Sequence, residues 1–114
     1  MHASIINNFN FIIMKRIGII EKISPFVEKE YKDGEGQTAL FAKLGIIVAT
    51  GGQSVYIEFK QDSARSIRDK IVEGQIVQVE YDCKVREYTD KNNEQRCENV
   101  VSGRALQIFS DKAF

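Results

Sequence analysis

Few side chains in this sequence belong to the types that carry out covalent chemistry. The single histidine is His2, next to the amino terminus, and the only thiols are those of Cys83 and Cys97. No nucleophile has a recognisable base near it in the sequence, and no glycine-rich segment has the spacing that cradles phosphates. This composition predicts a protein that is not an enzyme, needs no cofactor and takes no small-molecule substrate.

The two cysteines lie in segments that are predicted below to be neighbouring strands. They have no close-spaced partners that would complete the four ligands of a zinc site. Such a pair in a cytoplasmic protein is most often two reduced thiols packed in or near a core. We therefore expect Cys83 and Cys97 to be reduced and unliganded, and we expect no bound metal.

The remaining chemical capacity lies in rings and cations that alternate with apolar residues. Phe41 and Lys43 occupy alternate positions in one apolar segment, and Tyr56 and Lys60 lie at alternating positions of the next. Rings can stack on planar groups and cations can pair with anions. The pattern indicates noncovalent binding, provided that strands place these residues on one surface.

The longest run of alternating apolar and polar residues covers positions 74–88. Val77, Val79 and Tyr81 lie on its apolar face, as in a strand with one buried side. The same alternation predicts four more strands, whose inward residues include Val55 and Ile57. These predicted strands cover residues 15–24, 38–50, 53–60 and 95–109, with a Gly51-Gly52 hairpin turn between the second and third and a bulge at Gly103 in the last.

In the first predicted strand, the apolar face carries Ile17, Ile19 and Ile23. Residues 26–37 are charged and contain glycine, so we expect a solvated loop or hairpin tip there. Residues 89–94 form a polar turn between the last two strands.

A short amphipathic helix is predicted within residues 61–73. Ala64, Ile67 and Ile71 recur at helical spacing, and Gly74 is suited to the left-handed conformation that ends a helix. Asp62 or Ser63 is the expected cap at the start. The basic side chains expected to face water are those of Arg65, Arg68 and Lys70.

A chain of 114 residues forms one domain, and its sixteen basic and sixteen acidic residues cancel. No global field attracts a polyanion, so any nucleic-acid binding must come from local segregation of charge. Residues 1–14 are expected to be an arm, an added edge strand or an artefactual extension, residues 15–109 the domain, and residues 110–114 a tail. The first stretch lacks the features of a secretory signal and is too short to span a bilayer, so we expect a cytoplasmic protein without a membrane partner.

Five strands, a long charged first loop, a helix between strands three and four and a hairpin joining the last two strands resemble the OB-fold. Within residues 15–109, the segments GGQSVYIEF, EGQIVQVEY and SGRALQIF resemble the pattern of single-stranded DNA-binding proteins and of a small uncharacterised OB-type family. The tryptophans usual in single-stranded DNA-binding proteins are absent. The resemblance implies an all-β protein with one short helix, folded as a five-stranded Greek-key barrel.

The resemblance also implies a non-enzymatic protein that binds single-stranded DNA with little sequence preference and forms a homo-oligomer, with RNA left open as a ligand. The usual binding surface is the outer face of the second and third strands and the loops beside it. The implied nucleic-acid-binding residues are Phe41, Lys43, Tyr56 and Lys60 on the strands, Tyr31, Lys32 and Lys29 in the first loop, and Arg86, Tyr88, Lys91 and Arg96 near the last hairpin. Four carboxylates dilute this patch, those of Glu28, Glu30, Glu58 and Glu87.

A second hypothesis assigns the same face to protein assembly. Phe41, Ile47 and Tyr56 would then form an interface between subunits, which a nearly neutral chain with outward apolar residues also favours.

Overall fold

The structure is a computed structural model that describes residues 13–110. Most of the predicted arm, and all of the predicted tail after Ser110, lie outside the described residues. The elements within them are β1 (Met14–Ile23), β2 (Val27–Lys32), β3 (Thr38–Thr50), β4 (Gln53–Lys60), α1 (Asp62–Ile67), β5 (Ile76–Thr89) and β6 (Gln95–Ser110).

Five of these strands close into a ring. Their order is β1-β5-β6-β4-β3, and β3 pairs back with β1. Neighbouring strands are antiparallel except β4 and β6, which run parallel and pair at one position, Glu58 with Ser102. A closed ring with this order is the Greek-key barrel of the OB-fold, so the predicted fold class is confirmed.

The sixth strand, β2, lies where the sequence predicted a loop, and that prediction was wrong. It pairs with the first half of β3, from Val27 opposite Lys43 to Lys32 opposite Thr38. The high charge of this segment concealed the alternation of a strand. Val27, Lys29 and Tyr31 lie on one face of β2, and Glu28, Glu30 and Lys32 lie on the other. Only residues 33–37 form the hairpin tip.

The core lies inside the ring and matches the predicted inward positions. Ile57, Val77 and Val79 are fully buried, Tyr81 is nearly so, and Val55 packs against them half-buried. The helix and the turn after it close one end of the barrel with the predicted Ala64, Ile67 and Ile71, all of them buried.

The start of α1 differs from the prediction. Gln61, with a φ of 56°, is the residue before the helix, and no side chain caps the first turn, so a cap by Asp62 or Ser63 is wrong. Gly74 has the expected positive φ, 96°. Arg65 is not simply solvated, because its guanidinium donates to Glu28 at 2.9 Å and thereby ties α1 to β2.

The buried face of β1 is the reverse of the predicted one. Ile17 and Ile19 are 51% and 36% exposed, whereas Ile20 is buried. Isoleucines occupy both parities of this strand, so only its register with β3 and β5 decides which face turns inward. A bulge between Ile20 and Lys22 then changes the parity and lets Ile23 pack against the core.

The last two strands extend past the barrel as a two-stranded hairpin. The inward parity of β5 continues to Cys83 and Val85, but Val85 is 64% exposed and both cysteines, Cys83 and Cys97, are exposed. The expectation that the thiols pack in or near the core is therefore wrong, because the described pairing of β1 with β5 reaches only to Tyr81. That the thiols are reduced and unliganded stays a prediction.

Candidate nucleic-acid interface

The strand register places most of the predicted binding residues on one side of the sheet. Directly paired residues point to the same face. The pairs Lys29 with Phe41 and Lys43 with Lys60 connect β2, β3 and β4. The pairs of Ser102 with Glu58 and Asp82 carry the same face across β6 to β5. We call this surface the outward face, and its aromatic and charged residues include Lys29, Tyr31, Phe41, Lys43, Tyr56, Glu58, Lys60, Asp82, Lys84, Arg86, Tyr88, Arg96 and Glu98.

At one end of the outward face, two rings form an apolar cleft. Tyr31 is 44% exposed, and Phe41, half-buried, lies one strand away on β3. With Lys29 and Glu30 they line a cleft of about 350 Å³. This cleft offers planar apolar surface next to a cation, which suits stacking of a flat ring.

At the centre of the outward face, the ring of Tyr56 lies over Gly45. A Cβ added to Gly45 would lie 2.5 Å from Cζ and 2.6 Å from Cε1 of that ring, so only glycine leaves room for it. The Tyr56 hydroxyl donates to Glu58 at 3.4 Å, and the Lys43 ammonium lies 3.5 Å from the same carboxylate. Lys60, directly opposite Lys43, is exposed and makes no ion pair among the described residues.

On the extended hairpin, the outward face carries a third ring with its own cation. The guanidinium of Arg86 lies 4.8 Å from the centroid of the Tyr88 ring, a cation–π distance. Arg86 also forms an ion pair with Glu98, with 2.7 Å between Nε and the carboxylate oxygen. Arg96, opposite Tyr88, pairs with Asp90 at 2.8 Å and Glu94 at 3.1 Å.

The two hairpins that flank the outward face have the same turn. In each, the Oδ1 of an aspartate, Asp33 or Asp90, accepts hydrogen bonds from two backbone N–H groups. The backbone N–H of the same aspartate donates to the carbonyl oxygen four residues later. A positive φ follows at Gly36 (80°) and Asn93 (63°). The hydrogen bond from Arg96, assisted by the backbone N–H groups of Glu94 and Asn92, lowers the pKa of Asp90.

Two of the predicted residues do not join the rings. Lys32 pairs with Thr38 and lies on the opposite face of β2 from Tyr31. Lys91 lies in the turn at the hairpin tip. The outward face also includes Lys84 and Glu98, which were not among the predicted binding residues. Their signal was the alternation itself, since Lys84 has the parity of Arg86, and Glu98 is the cross-strand partner of Arg86.

Among residues 13–110, no group of three or more histidine, cysteine or acidic side chains is arranged to hold a metal ion. Within the same range, no helix is long and apolar enough to cross a membrane.

These features define a closed OB-fold barrel with a continuous outward face of rings, cations and carboxylates. A similar fold occurs in the mitochondrial single-stranded DNA-binding protein of S. cerevisiae, Rim1, at a TM-score of 0.55 and 12% identity over 86% of this chain and 92% of that one. A second crystal form of the same yeast protein gives a TM-score of 0.52 at 16% identity, over 89% of this chain and 98% of that one. No family model and no curated protein matches the sequence. The predicted resemblance is thus confirmed at the level of the fold.

Proposed function

We propose that this chain is a non-enzymatic protein that binds single-stranded DNA on its outward face, with little sequence preference. The observation that carries this proposal is the continuity of rings and cations across five strands, β2 to β6, of an OB-fold barrel. Tyr31, Tyr56 and Tyr88 are 44%, 45% and 37% exposed, so part of each ring is open to bases, although Arg86 covers one face of Tyr88 and Gly45 lies under Tyr56. The yeast protein with a similar fold is itself a single-stranded DNA-binding protein.

The spacing of the rings suits an extended strand of nucleotides. Phe41 and Ile47, the cross-strand partner of Tyr56, are six residues apart on β3, which corresponds to about 20 Å of strand. OB-folds contact about 4–16 nucleotides, so several bases fit between the cleft and the hairpin. Stacking tolerates any sequence because every base has a π face, and it contributes ~1–3 kcal/mol per base.

The test is a titration of fluorescent oligo-dT with two double variants. Phe41→Ala with Tyr56→Ala removes two stacking platforms and should weaken affinity by about one to four orders of magnitude at fixed salt. Lys43→Ala with Lys60→Ala should weaken binding at low salt and flatten the dependence of log K on log salt by ~0.7 per lost phosphate contact.

The matched control for the ring variant is Phe109→Ala, which removes a ring that is 49% exposed at the far end of β6. This control should bind as the wild type does. A ring variant that keeps both its thermal melt and full affinity would show that Phe41 and Tyr56 are not the stacking platforms, and Tyr31 and Tyr88 would be the next candidates on the outward face.

The second candidate is an assembly module, and exposed apolar residues favour it. Ile17 and Ile19 on β1 are 51% and 36% exposed, and Ile47 is half-buried beside Tyr56. In that case the variant lacking the rings of Phe41 and Tyr56 would sediment as a smaller species, and no variant would change DNA binding. Such a subunit contact would also account for the expected homo-oligomer.

A further inference from the structure

Two carboxylates on the outward face hold cations that the proposed function requires. Glu58 lies 3.5 Å from the Lys43 ammonium and 3.4 Å from the Tyr56 hydroxyl. Glu98 lies 2.7 Å from Nε of Arg86, the guanidinium that covers the ring of Tyr88. The same grouping of a ring, a cation and a carboxylate therefore occurs twice, once on the barrel and once on the hairpin.

Both carboxylates border one groove. Because β4 and β6 pair at a single position, they diverge and leave an opening of about 320 Å³ between them. Its lining residues are Tyr56, Glu58, Glu98, Asn99, Val100 and Val101. A phosphate that enters this groove meets two acidic groups and no cation of the lining, so it gains little unless the carboxylates move aside.

We propose that Glu58 and Glu98 occupy, in the free protein, the places that phosphate groups take in the complex, and that they thereby favour single strands over duplex. The inference rests on the proposed function. Carboxylate and phosphate oxygens both accept hydrogen bonds from Lys and Arg, so one can replace the other. A single strand gains stacking on the rings when the exchange occurs. The bases of a duplex stay stacked on each other, so a duplex gains only electrostatic attraction and displaces the carboxylates less readily.

The two ion pairs are exposed enough for this exchange. The side chains of Lys43 and Arg86 are 44% and 61% exposed, and those of Glu58 and Glu98 are 23% and 44% exposed. Surface pairs of this kind contribute little to stability, so a competing anion can displace them. The pairing of Glu58 and Glu98 with Lys43 and Arg86, which we call masking of these cations, therefore affects ligand binding more than it affects the fold.

The experiment compares the Glu58→Gln/Glu98→Gln variant with the wild type, using oligo-dT and a duplex of the same length. For the duplex, which gains no stacking to displace the carboxylates in the wild type, two unmasked cations should steepen the slope of log K against log salt by about 1.8. The slope for the single strand should stay nearly unchanged, because its phosphates already replace Glu58 and Glu98 in the wild-type complex. When salt is lowered from about 200 mM to about 50 mM, the duplex affinity of the variant should therefore rise about tenfold more than that of the wild type. The preference for single strands should narrow accordingly.

The matched control is Glu21→Gln/Glu87→Gln, which makes the same change in charge. Glu87 lies on the opposite face of the hairpin, paired with Cys97, and Glu21 lies at the bulge of β1. Thermal melts of all variants, and the single variant Glu98→Gln, separate loss of fold from loss of masking.

The outcomes separate this inference from the proposed function. If the wild type binds oligo-dT but the Glu58→Gln/Glu98→Gln variant has the salt slopes and duplex affinity of the control, the masking is refuted and the proposed function stands. If neither the wild type nor any folded variant binds oligo-dT, the proposed function itself is overturned.

Discussion

Replacing Gly45 by alanine would displace the Tyr56 ring without altering its chemistry. An added Cβ would lie 2.5 Å from Cζ and 2.6 Å from Cε1 of that ring, closer than real Cβ atoms approach other groups. Because Tyr56 is 45% exposed, the ring can rotate into water and relieve the clash. Gly45 is not among the glycines with positive φ, so alanine introduces no backbone strain.

The magnitude follows from what the displaced ring no longer offers. One stacking platform contributes ~1–3 kcal/mol, so affinity for oligo-dT should fall by about 5- to 150-fold. The hydrogen bond from Tyr56 to Glu58 is also lost, but at 3.4 Å it is long and adds little. Stability should not fall with affinity, because alanine is favoured over glycine within a strand by about 0.5–1 kcal/mol.

The assay is fluorescence anisotropy of labelled oligo-dT, paired with a thermal melt. Since the chain has four tyrosines and no tryptophan, quenching of tyrosine emission on binding provides a second readout. The control is Gly34→Ala, because a Cβ at Gly34 meets no atom within 4 Å. If the Gly45→Ala variant melts normally and binds as tightly as the wild type, Tyr56 in this position is not a stacking platform.

Two further predictions concern the hairpin and the barrel wall. The folded pKa of Asp90 is lowered by the hydrogen bond from Arg96, so the order that Asp90 gives to the hairpin tip is complete above the ordinary aspartate pKa and lost as pH falls through the folded value. After correction for the intrinsic pH dependence of amide exchange, the protection of the tip amides should therefore fall at acidic pH in the wild type but not in Asp90→Asn, and equal protection profiles would contradict the assignment. In Gly103→Ala, the new Cβ would lie 2.6 Å from Cδ2 of Phe59, which is only 1% exposed, so unfolding in urea should show a loss of about 1–3 kcal/mol. A wild-type midpoint in that variant would show that β6 can move away from the ring.

Strands with a clean alternation were predicted well. The predicted strands at residues 38–50 and 53–60 coincide with Thr38–Thr50 and Gln53–Lys60, since their apolar and polar positions alternate and Gly51-Gly52 separates them. Gly103 was also predicted as a bulge, and the pairing of β5 with β6 shifts there, from Tyr81 opposite Gly103 to Glu80 opposite Ala105. In these cases local pattern and tertiary structure agree.

The errors arose where pairing partners decide the outcome. Ile17 and Ile19 formed a plausible apolar face, but the register with β5 turned Gly18 and Ile20 inward. Val85 has the inward parity of β5 but lies beyond the end of the β1 pairing, so it is exposed. No local sequence pattern shows where a neighbouring strand ends. Alternation alone cannot locate such an end.

In the candidate site, too, the features set by local alternation were predicted and those set by strand pairing were not. The outward placement of Tyr56 and Lys60 followed from alternation within one strand. The pairing of Arg86 with Glu98 did not, because the two residues lie on different strands and meet only through the register of the hairpin. Local sequence therefore located rings and cations, while their ionic partners required the fold.

Binding of single-stranded DNA to the outward face is tested most directly by titrating the wild-type protein with fluorescent oligo-dT at about 50 mM and about 200 mM salt. We expect saturable binding at both concentrations, weaker at the higher one, with quenching of tyrosine emission as bases stack on Tyr31, Tyr56 and Tyr88. The absence of binding at either salt concentration by a protein with a normal thermal melt would contradict the proposed function.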